Sequence, residues 1–196
     1  MRRNYEKGQR AKKFMVYFIA FIMISSAFGV IFFGFGGNSA SSVQYKEFEF
    51  FNRQNFWSTT INDREALFTY FPADVENINA EQNAINKLKN VIEIDITSDF
   101  NDTYAEQIAL AQYQMGITLN NFNAFVRAGF TAKNNYNQPL ITCNISTSFV
   151  PVIYFKSSNE TKIYLQNDCI VAEAEKINDI IRIKDRIVYG IFGIIK

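Results

Sequence analysis

The 196-residue chain contains no histidine, only two cysteines and only three prolines. Without histidine it cannot form a Ser-His-Asp or Cys-His catalytic centre, nor a zinc site with histidine ligands. Two cysteines cannot complete a tetrahedral zinc site made of thiolates. These absences exclude several large enzyme classes, and we expect a protein that has no catalytic centre, no metal ion and no cofactor.

Charge is divided unevenly along the chain. Residues 1–13 carry six basic side chains and one acidic side chain, a net charge of +5, whereas the whole chain has a net charge of +1. The remainder therefore has a net charge of −4. A mildly acidic body does not suit binding to a phosphate backbone, so we expect no nucleic-acid partner. The composition indicates no particular small-molecule substrate either.

The longest apolar segment runs from Phe14 to Phe35, 22 residues without a charge. As a helix it would reach ~33 Å, enough to cross the ~30 Å hydrocarbon core of a bilayer. We therefore predict a transmembrane helix at 14–35, with the lipid bilayer as its partner. A cleaved signal peptide is an alternative that the length of the segment disfavours. A pilin-type signal is another, which Lys12 and Lys13 disfavour.

The charges on either side of this segment predict its orientation. Basic residues concentrate on the cytoplasmic side of membrane spans, which places residues 1–13 in the cytoplasm. The chain then divides into a basic tail at 1–13, the span at 14–35, a linker at 36–42 and an exterior α/β domain at 43–196. We expect a single-pass protein of the cell membrane whose C-terminal domain is extracellular.

Two features of the domain fit an extracellular location. Cys143 and Cys169 are the only cysteines, and a pair outside the cytosol favours a disulfide over a redox couple. Closing a loop of about 27 residues stabilises a fold by roughly 3 to 4 kcal/mol. Sequons for N-glycosylation begin at Asn101, Asn144 and Asn159, although an asparagine-rich chain also produces such triplets by chance.

The apolar pattern of the domain predicts a mixture of strands and helices. Residues 45–71 are predicted to form a three-strand meander. In the next predicted strand, at 91–97, Glu93 and Asp95 share one face. We expect this face to be solvated, and we do not expect the two carboxylates to act as an acid–base pair. Further strands are predicted at 140–147, 150–156, 161–165 and 169–174, and helices at 102–116, 120–130 and 176–196.

From Ala66 onward the predicted order of elements, strand, helix, strand, helical region, strand, strand, helix, resembles that of the thioredoxin family. The segment "VPVIYFKSSNETKIYL", which begins at Val150, resembles the family's proline-containing strand and the antiparallel strand that follows it. The resemblance implies a three-layer domain with an extra N-terminal β-hairpin and a helical insertion before Cys143. It also implies a cis peptide bond before Pro151, with an ordinary trans bond as the alternative. "PADV", at 72–75, stands where the family carries C-x-x-C, so the resemblance implies a redox-inert module.

The sequence thus predicts a membrane-anchored exterior domain without a catalytic centre, acting as an envelope scaffold or a protein-interaction module. Two alternatives stay open. One is a divergent thiol-disulfide oxidoreductase or isomerase that uses Cys143 and Cys169. The other is an accessory subunit that binds a membrane-protein partner through the span and the last helix, whose residues 187–195 are apolar almost all round. Burial of that helix in the domain core is the simpler expectation.

Overall fold

A computed structural model describes residues 17–19, 22 and 42–196 of the chain. The chain divides into two compact units, residues 1–41 and 42–196. The four described residues of the first unit are helical and have exposed side chains. The predicted tail, the rest of the predicted span and the linker up to residue 41 lie outside the described residues. Within the described part of the chain, no helix is both long enough and apolar enough to cross a membrane.

The second unit begins with a four-stranded antiparallel meander. Its strands are β1 (Ser42–Tyr45), β2 (Phe48–Arg53), β3 (Phe56–Ile61) and β4 (Arg64–Phe68), in the order β1-β2-β3-β4. Two-residue turns join them, and the positive φ angles in these turns fall at Lys46, Gln54, Asn62 and Asp63. Such tight turns match the twist of the flanking strands. The predicted meander is therefore present, with four strands instead of three.

The rest of the unit is a mixed six-stranded sheet with four helices. The strands are β5 (Asn79–Ala80), β6 (Glu93–Ser98), β7 (Phe125–Phe130), β8 (Val152–Ser157), β9 (Lys162–Gln166) and β10 (Cys169–Ala174). The helices are α1 (Pro72–Val75), α2 (Gln82–Asn86), α3 (Ala105–Asn120) and α4 (Ile177–Ile191). The strand order is β5-β9-β10-β8-β6-β7, and only the β9–β10 pair is antiparallel. The α/β class predicted from the sequence is confirmed.

The helices pack against one face of this sheet and share one core with the meander. Alternate strand residues such as Ile96 and Phe155 join α3 and α4 in that core. Part of the opposite face is covered by an irregular crossover, residues 131–151, whose Ile141 packs on Val152 and Cys169. A crossover that reverses direction along a sheet passes over the opposite face, because parallel connections are right-handed. The second covering layer is thus this crossover, not a layer of helices.

Three predicted elements differ from the structure. Residues 125–130, predicted as part of a helix, form β7, because a short aromatic and β-branched run can instead pair with β6. Residues 140–147, predicted as a strand, contain a single 3₁₀ turn at Cys143–Ile145. Helix α3 does not stop at Gly116 but continues to Asn120, because Leu119 in its last turn is buried in the core.

The parts of the chain that carried the thioredoxin resemblance are also arranged differently. Strands β8 and β9 are not neighbours, because β10 lies between them and pairs with both. Strand β4 belongs to the meander rather than to the six-stranded sheet. No cis peptide bond occurs in the described residues, so the bond before Pro151 is the ordinary trans bond, the alternative that was left open beside the cis bond. Pro151 directly precedes β8, and its carbonyl accepts a hydrogen bond from the Asp95 amide, as in an ordinary strand. The resemblance as a whole stays a prediction.

Helix α4 joins the two sheets through one buried carboxylate. Oδ2 of Asp185 accepts hydrogen bonds from the backbone amides of Thr69 (2.9 Å) and Tyr70 (2.8 Å), just after β4. Its other oxygen contacts the ammonium group of Lys184, which is also buried. One turn later, the hydroxyl of Tyr189 donates to the Tyr70 carbonyl at 2.7 Å. The last helix is therefore buried in the core, as the sequence indicated.

We expect Asp185→Ala to lower the free energy of unfolding by about 3 to 5 kcal/mol, because it leaves a buried ammonium and two amides unpaired. The matched control is Asp168→Ala, which breaks an ion pair between Lys87 and an aspartate side chain that is 73% exposed. This control should cost less than about 1 kcal/mol. Urea denaturation measures both, and equal losses would contradict the role assigned to Asp185.

Candidate functional site

The predicted disulfide is present between Cys143 and Cys169. Cys143 lies in the crossover, whereas Cys169 is the first residue of β10 and is only 1% exposed. The bridge ties the crossover to an inner strand of the sheet, and no free cysteine occurs among the described residues. Since thiol exchange requires access to a sulfur atom, this burial favours a structural bridge over a redox couple.

We expect alkylating reagents to label neither cysteine in the native protein and to label both after reduction and unfolding. The double variant in which Cys143 and Cys169 are alanine should lose about 3 to 4 kcal/mol of stability, the usual effect of opening a loop of this length. Mass spectrometry of the labelled protein gives the first result and urea denaturation the second. Labelling of the native protein would contradict a structural role.

The acidic pair on β6 is not solvated as predicted. Asp95 is buried, and its two carboxylate oxygens accept from Nε (2.8 Å) and Nη2 (2.7 Å) of Arg127 on β7. Glu93 lies 3.6 Å from the same guanidinium. Hydrogen bonding to Asp95 raises the pKa of Arg127. The carboxylate is thus neutralised by a bidentate ion pair, which leaves it no role as an acid or base. Arg127 is 32 residues away from Asp95, so no local pattern around Asp95 could indicate this partner.

The three sequons lie apart from one another. Asn101 follows β6 and Asn159 lies in the turn after β8, and both are exposed. Asn144 is exposed in the 3₁₀ turn next to the disulfide. These positions do not form a common site, and their glycosylation stays a prediction. The described residues also contain no cluster of metal-ligating side chains.

Proteins with parallel sheets most often bind ligands at the carboxyl ends of the strands, where the strand order reverses. Here that point lies between β6 and β8, and Asp102 occupies it. Its Oδ2 accepts from the amide (2.9 Å) and the hydroxyl (3.2 Å) of Ser157, while Oδ1 accepts from the amide of Tyr104 at 2.8 Å. The carboxylate is fully used in joining the two strand ends, so this position does not present a ligand site.

The opposite, amino ends of β6 and β8 border a groove of about 610 Å³. Ile92 and Phe149 line it and are 79% and 82% exposed. Some buried polar atoms of the described domain lack a hydrogen-bond partner, but they all belong to residues outside this groove. The groove is therefore bordered by surface loops, and Lys87, Lys89 and Glu93 are the charged side chains along it.

A surface with unused hydrogen-bonding groups lies along β7, at the edge of the sheet. The amide of Phe125 donates to Ile92 and that of Thr131 donates to Ser98, so the odd-numbered residues of β7 face β6. In a parallel pair, the residues between them direct their N–H and C=O groups to the other side. Val126 and Ala128 thus present unpaired backbone groups at the free edge. Beyond them the edge is closed, because Phe130 bonds to Pro139 and Ile141. The Phe130 amide donates to the Pro139 carbonyl, and the Ile141 amide donates to the Phe130 carbonyl, both at 2.9 Å.

Helix α3 forms the other wall of this surface. A groove of about 360 Å³ separates α3 from β7, and its walls include Ala109, Gln112, Gly116, Ile117, Val126 and Ala128. Gln112 is 8% exposed, and its Nε2 has no hydrogen-bond partner in the described domain. Beside the groove rises a ridge of three side chains, Leu110, Tyr113 and Ile117, which are 42%, 67% and 44% exposed. We refer to groove, ridge and free edge together as the α3–β7 surface.

The sequence contains a signal for this surface that secondary-structure patterns do not use. From Gln107 to Val126, 20 consecutive residues carry no charge, although a fifth of the chain is charged. After Glu106, helix α3 consequently carries no charge, and Leu110, Tyr113 and Ile117 are exposed on its outer side. Exposed apolar side chains that lie together often mark an interaction site. The α3–β7 surface is therefore the strongest candidate for a functional site.

Comparisons with protein-family models, with curated proteins and with solved structures found no match to this chain.

Two glycines lie within helices, one beside the groove and one in the core, and substitution of each by alanine shows which of them folding requires. A Cβ atom on Gly116 would lie 4.0 Å from the Val126 side chain, an ordinary contact, whereas one on Gly190 would lie 2.6 Å from Ile85 Cγ2. We expect Gly116→Ala to stabilise the fold by about 0.5 to 1 kcal/mol, because alanine favours the helix. Gly190→Ala should destabilise it by about 1 to 3 kcal/mol through overpacking. Urea denaturation tests both, and a loss of stability in Gly116→Ala would show that folding requires this glycine.

Proposed function

We propose that the protein is a membrane-anchored, non-catalytic interaction module that binds a protein partner through the α3–β7 surface. The observation that carries the proposal is the unpaired edge of β7 beside an uncharged helix face. The span predicted at 14–35 and its orientation, which would place the domain outside the cell, belong to the same proposal. A role as envelope scaffold or as accessory subunit of a membrane complex is compatible with such a surface.

Edge strands support this proposal because they pair readily with other chains. Proteins commonly protect such edges with charged side chains, proline or a covering element. The only charged residue of β7 is Arg127, and its guanidinium is held by Asp95 on the face of the sheet away from the groove. Val126 and Ala128 are thus left without protection. An edge of this kind, next to exposed apolar side chains, is typical of an interaction site.

The oxidoreductase alternative has less support. It requires a reactive sulfur, and Cys169 is buried within a bridge that fastens the crossover. The thioredoxin resemblance stays a prediction, and a shared fold would not by itself provide an activity.

Site-specific photo-crosslinking tests the proposal. We would place p-benzoylphenylalanine at Tyr113 in the full chain and irradiate cells that produce it. We expect a covalent adduct of higher mass, because Tyr113 forms the top of the ridge. The matched control carries the same group at Tyr136, which is also 67% exposed but lies on the crossover.

An adduct at Tyr113 and none at Tyr136 is the expected result. No adduct at Tyr113, or equal adducts at both positions, would overturn the proposed function. The mass of the adduct also reports whether the partner is another protein or another copy of the chain.

A further inference from the structure

We infer that the partner at the α3–β7 surface binds as an extended segment, which adds to β7 as one more antiparallel strand of the six-stranded sheet. This inference rests on the proposed function, since it names the form in which the partner occupies the same surface. The segment pairs with Ala128 and Val126. Its two side chains opposite these residues enter the groove, and both are uncharged.

The free edge of β7 carries backbone groups that an extended chain matches in spacing. Strand β7 is the last strand of its sheet, and among the described residues nothing bonds to the outward amides and carbonyls of Val126 and Ala128. Each of the two residues thus offers one donor and one acceptor along the same line. A helix uses its own amides and carbonyls internally. The open groups therefore specify a partner in the extended conformation.

The chain already places an extended segment of its own on this edge. Leu140 pairs with Phe130 in a parallel β-bridge, and Phe130 bonds to Pro139 and Ile141 on either side of Leu140. Gly129 makes the approach possible, because a Cβ atom at this position would lie 2.5 Å from the Pro139 carbonyl oxygen. One end of the edge is therefore paired with a strand-like segment, and the other end is open.

Proline ends this internal pairing before it reaches Ala128. Pro139 has no amide hydrogen that could bond to the Ala128 carbonyl. Before it, the Gln138 amide donates to Oδ1 of Asn134 at 3.3 Å, so the crossover turns away from the edge. Val126 and Ala128 are thus the part of the edge that the domain leaves open. An added strand must end at Ala128, because Pro139 occupies the next place.

Pro139 also determines the direction of the added strand. In an antiparallel pair, the residue opposite Ala128 accepts from its amide and donates to its carbonyl. In a parallel pair, the donor to that carbonyl is the following residue, whose place Pro139 occupies. An antiparallel segment therefore satisfies all four open groups, with two hydrogen bonds at Ala128 and two at Val126, whereas a parallel segment does not.

The groove receives alternate side chains of the added strand. Residues directly opposite each other in a sheet have side chains on the same face, and Val126 and Ala128 both line the groove beside α3. The two residues opposite them therefore face the groove, whose other wall contains the small residues Ala109 and Gly116. None of the described residues that line this groove is charged. Since burying an unpaired charge is costly, the two entering side chains are uncharged.

Peptide selection against the full chain in a mild detergent tests the inference. The probe is a phage-displayed library of random nine-residue peptides. We expect the selected peptides to share uncharged residues two positions apart. Ala128→Pro should raise their dissociation constants at least ~10-fold, because proline removes one hydrogen bond and its ring enters the place of the added strand. Ala128→Ser is the matched control, since it keeps the amide, and should change the dissociation constant less than ~2-fold.

Amide hydrogen exchange of the wild-type chain does not depend on the folding of a variant. Without peptide, the amides of Val126 and Ala128 should exchange rapidly, whereas the Arg127 amide, which faces β6, should be protected. A bound peptide should protect all three. Peptides that bind without this protection, or that bind Ala128→Pro equally well, would overturn the inference. A selection that yields no binding peptide would overturn it as well.

The photo-adduct at Tyr113 separates this inference from the proposed function. Loss of the adduct in Ala128→Pro, with retention in Ala128→Ser, supports both. An adduct of equal yield in Ala128→Pro leaves the proposed function in place, and the addition of a strand is then wrong. No adduct at Tyr113 in the chain that keeps Ala128 contradicts the proposed function, and with it this inference.

Discussion

The arrangement of both sheets depends on the buried carboxylate of Asp185. A carboxylate in a protein interior needs several donors, and this one finds them in Lys184 and in the amides of Thr69 and Tyr70. The amides belong to the chain just after the meander, whereas Asp185 lies in the middle of a helix that covers the other sheet. The stacked rings of Phe68 and Tyr189, with centroids 4.0 Å apart, complete the same junction. One helix thus gives two sheets a common core, and α3 packs against the same helix.

The second face of the six-stranded sheet is stabilised in another way. Its inner end is covered by the disulfide-linked crossover, and the rest carries paired charges. Burial alone raises the pKa of the Glu173 carboxyl, but hydrogen bonds from Lys156 and Tyr164 outweigh it and bring the pKa below its usual value. The Asp95–Arg127 pair serves the same purpose on β6 and β7. The charged side chains named on this face consequently form ion pairs with one another, whereas uncharged residues lie along α3 and the edge of β7.

Features with a local cause could be predicted from the sequence, and features set by strand neighbours could not. The disulfide was expected because the chain has a single pair of cysteines, and the buried last helix because its apolar residues recur with helical periodicity. The environment of Asp95 does not, because it depends on Arg127 in a strand that local pattern assigned to a helix. Element order suggested thioredoxin, yet order cannot say that β10 lies between β8 and β9. The α3–β7 surface was missed because exposed and buried apolar residues look alike in a sequence, so that only the missing charges could have indicated it.

The position of β10 also determines when this domain can assemble. It is the last in chain order of the described strands, and it is the link between β8 and β9 in the sheet. A nascent chain that has not reached Cys169 holds β6, β7 and β8 as one fragment and β5 and β9 as another, with no strand to join them. Cys143 likewise cannot form its disulfide until Cys169, the first residue of the same strand, has been synthesised. Completion of the sheet and oxidation therefore become possible together, once β10 has been synthesised, and the sheet cannot be built strand by strand from its N-terminus.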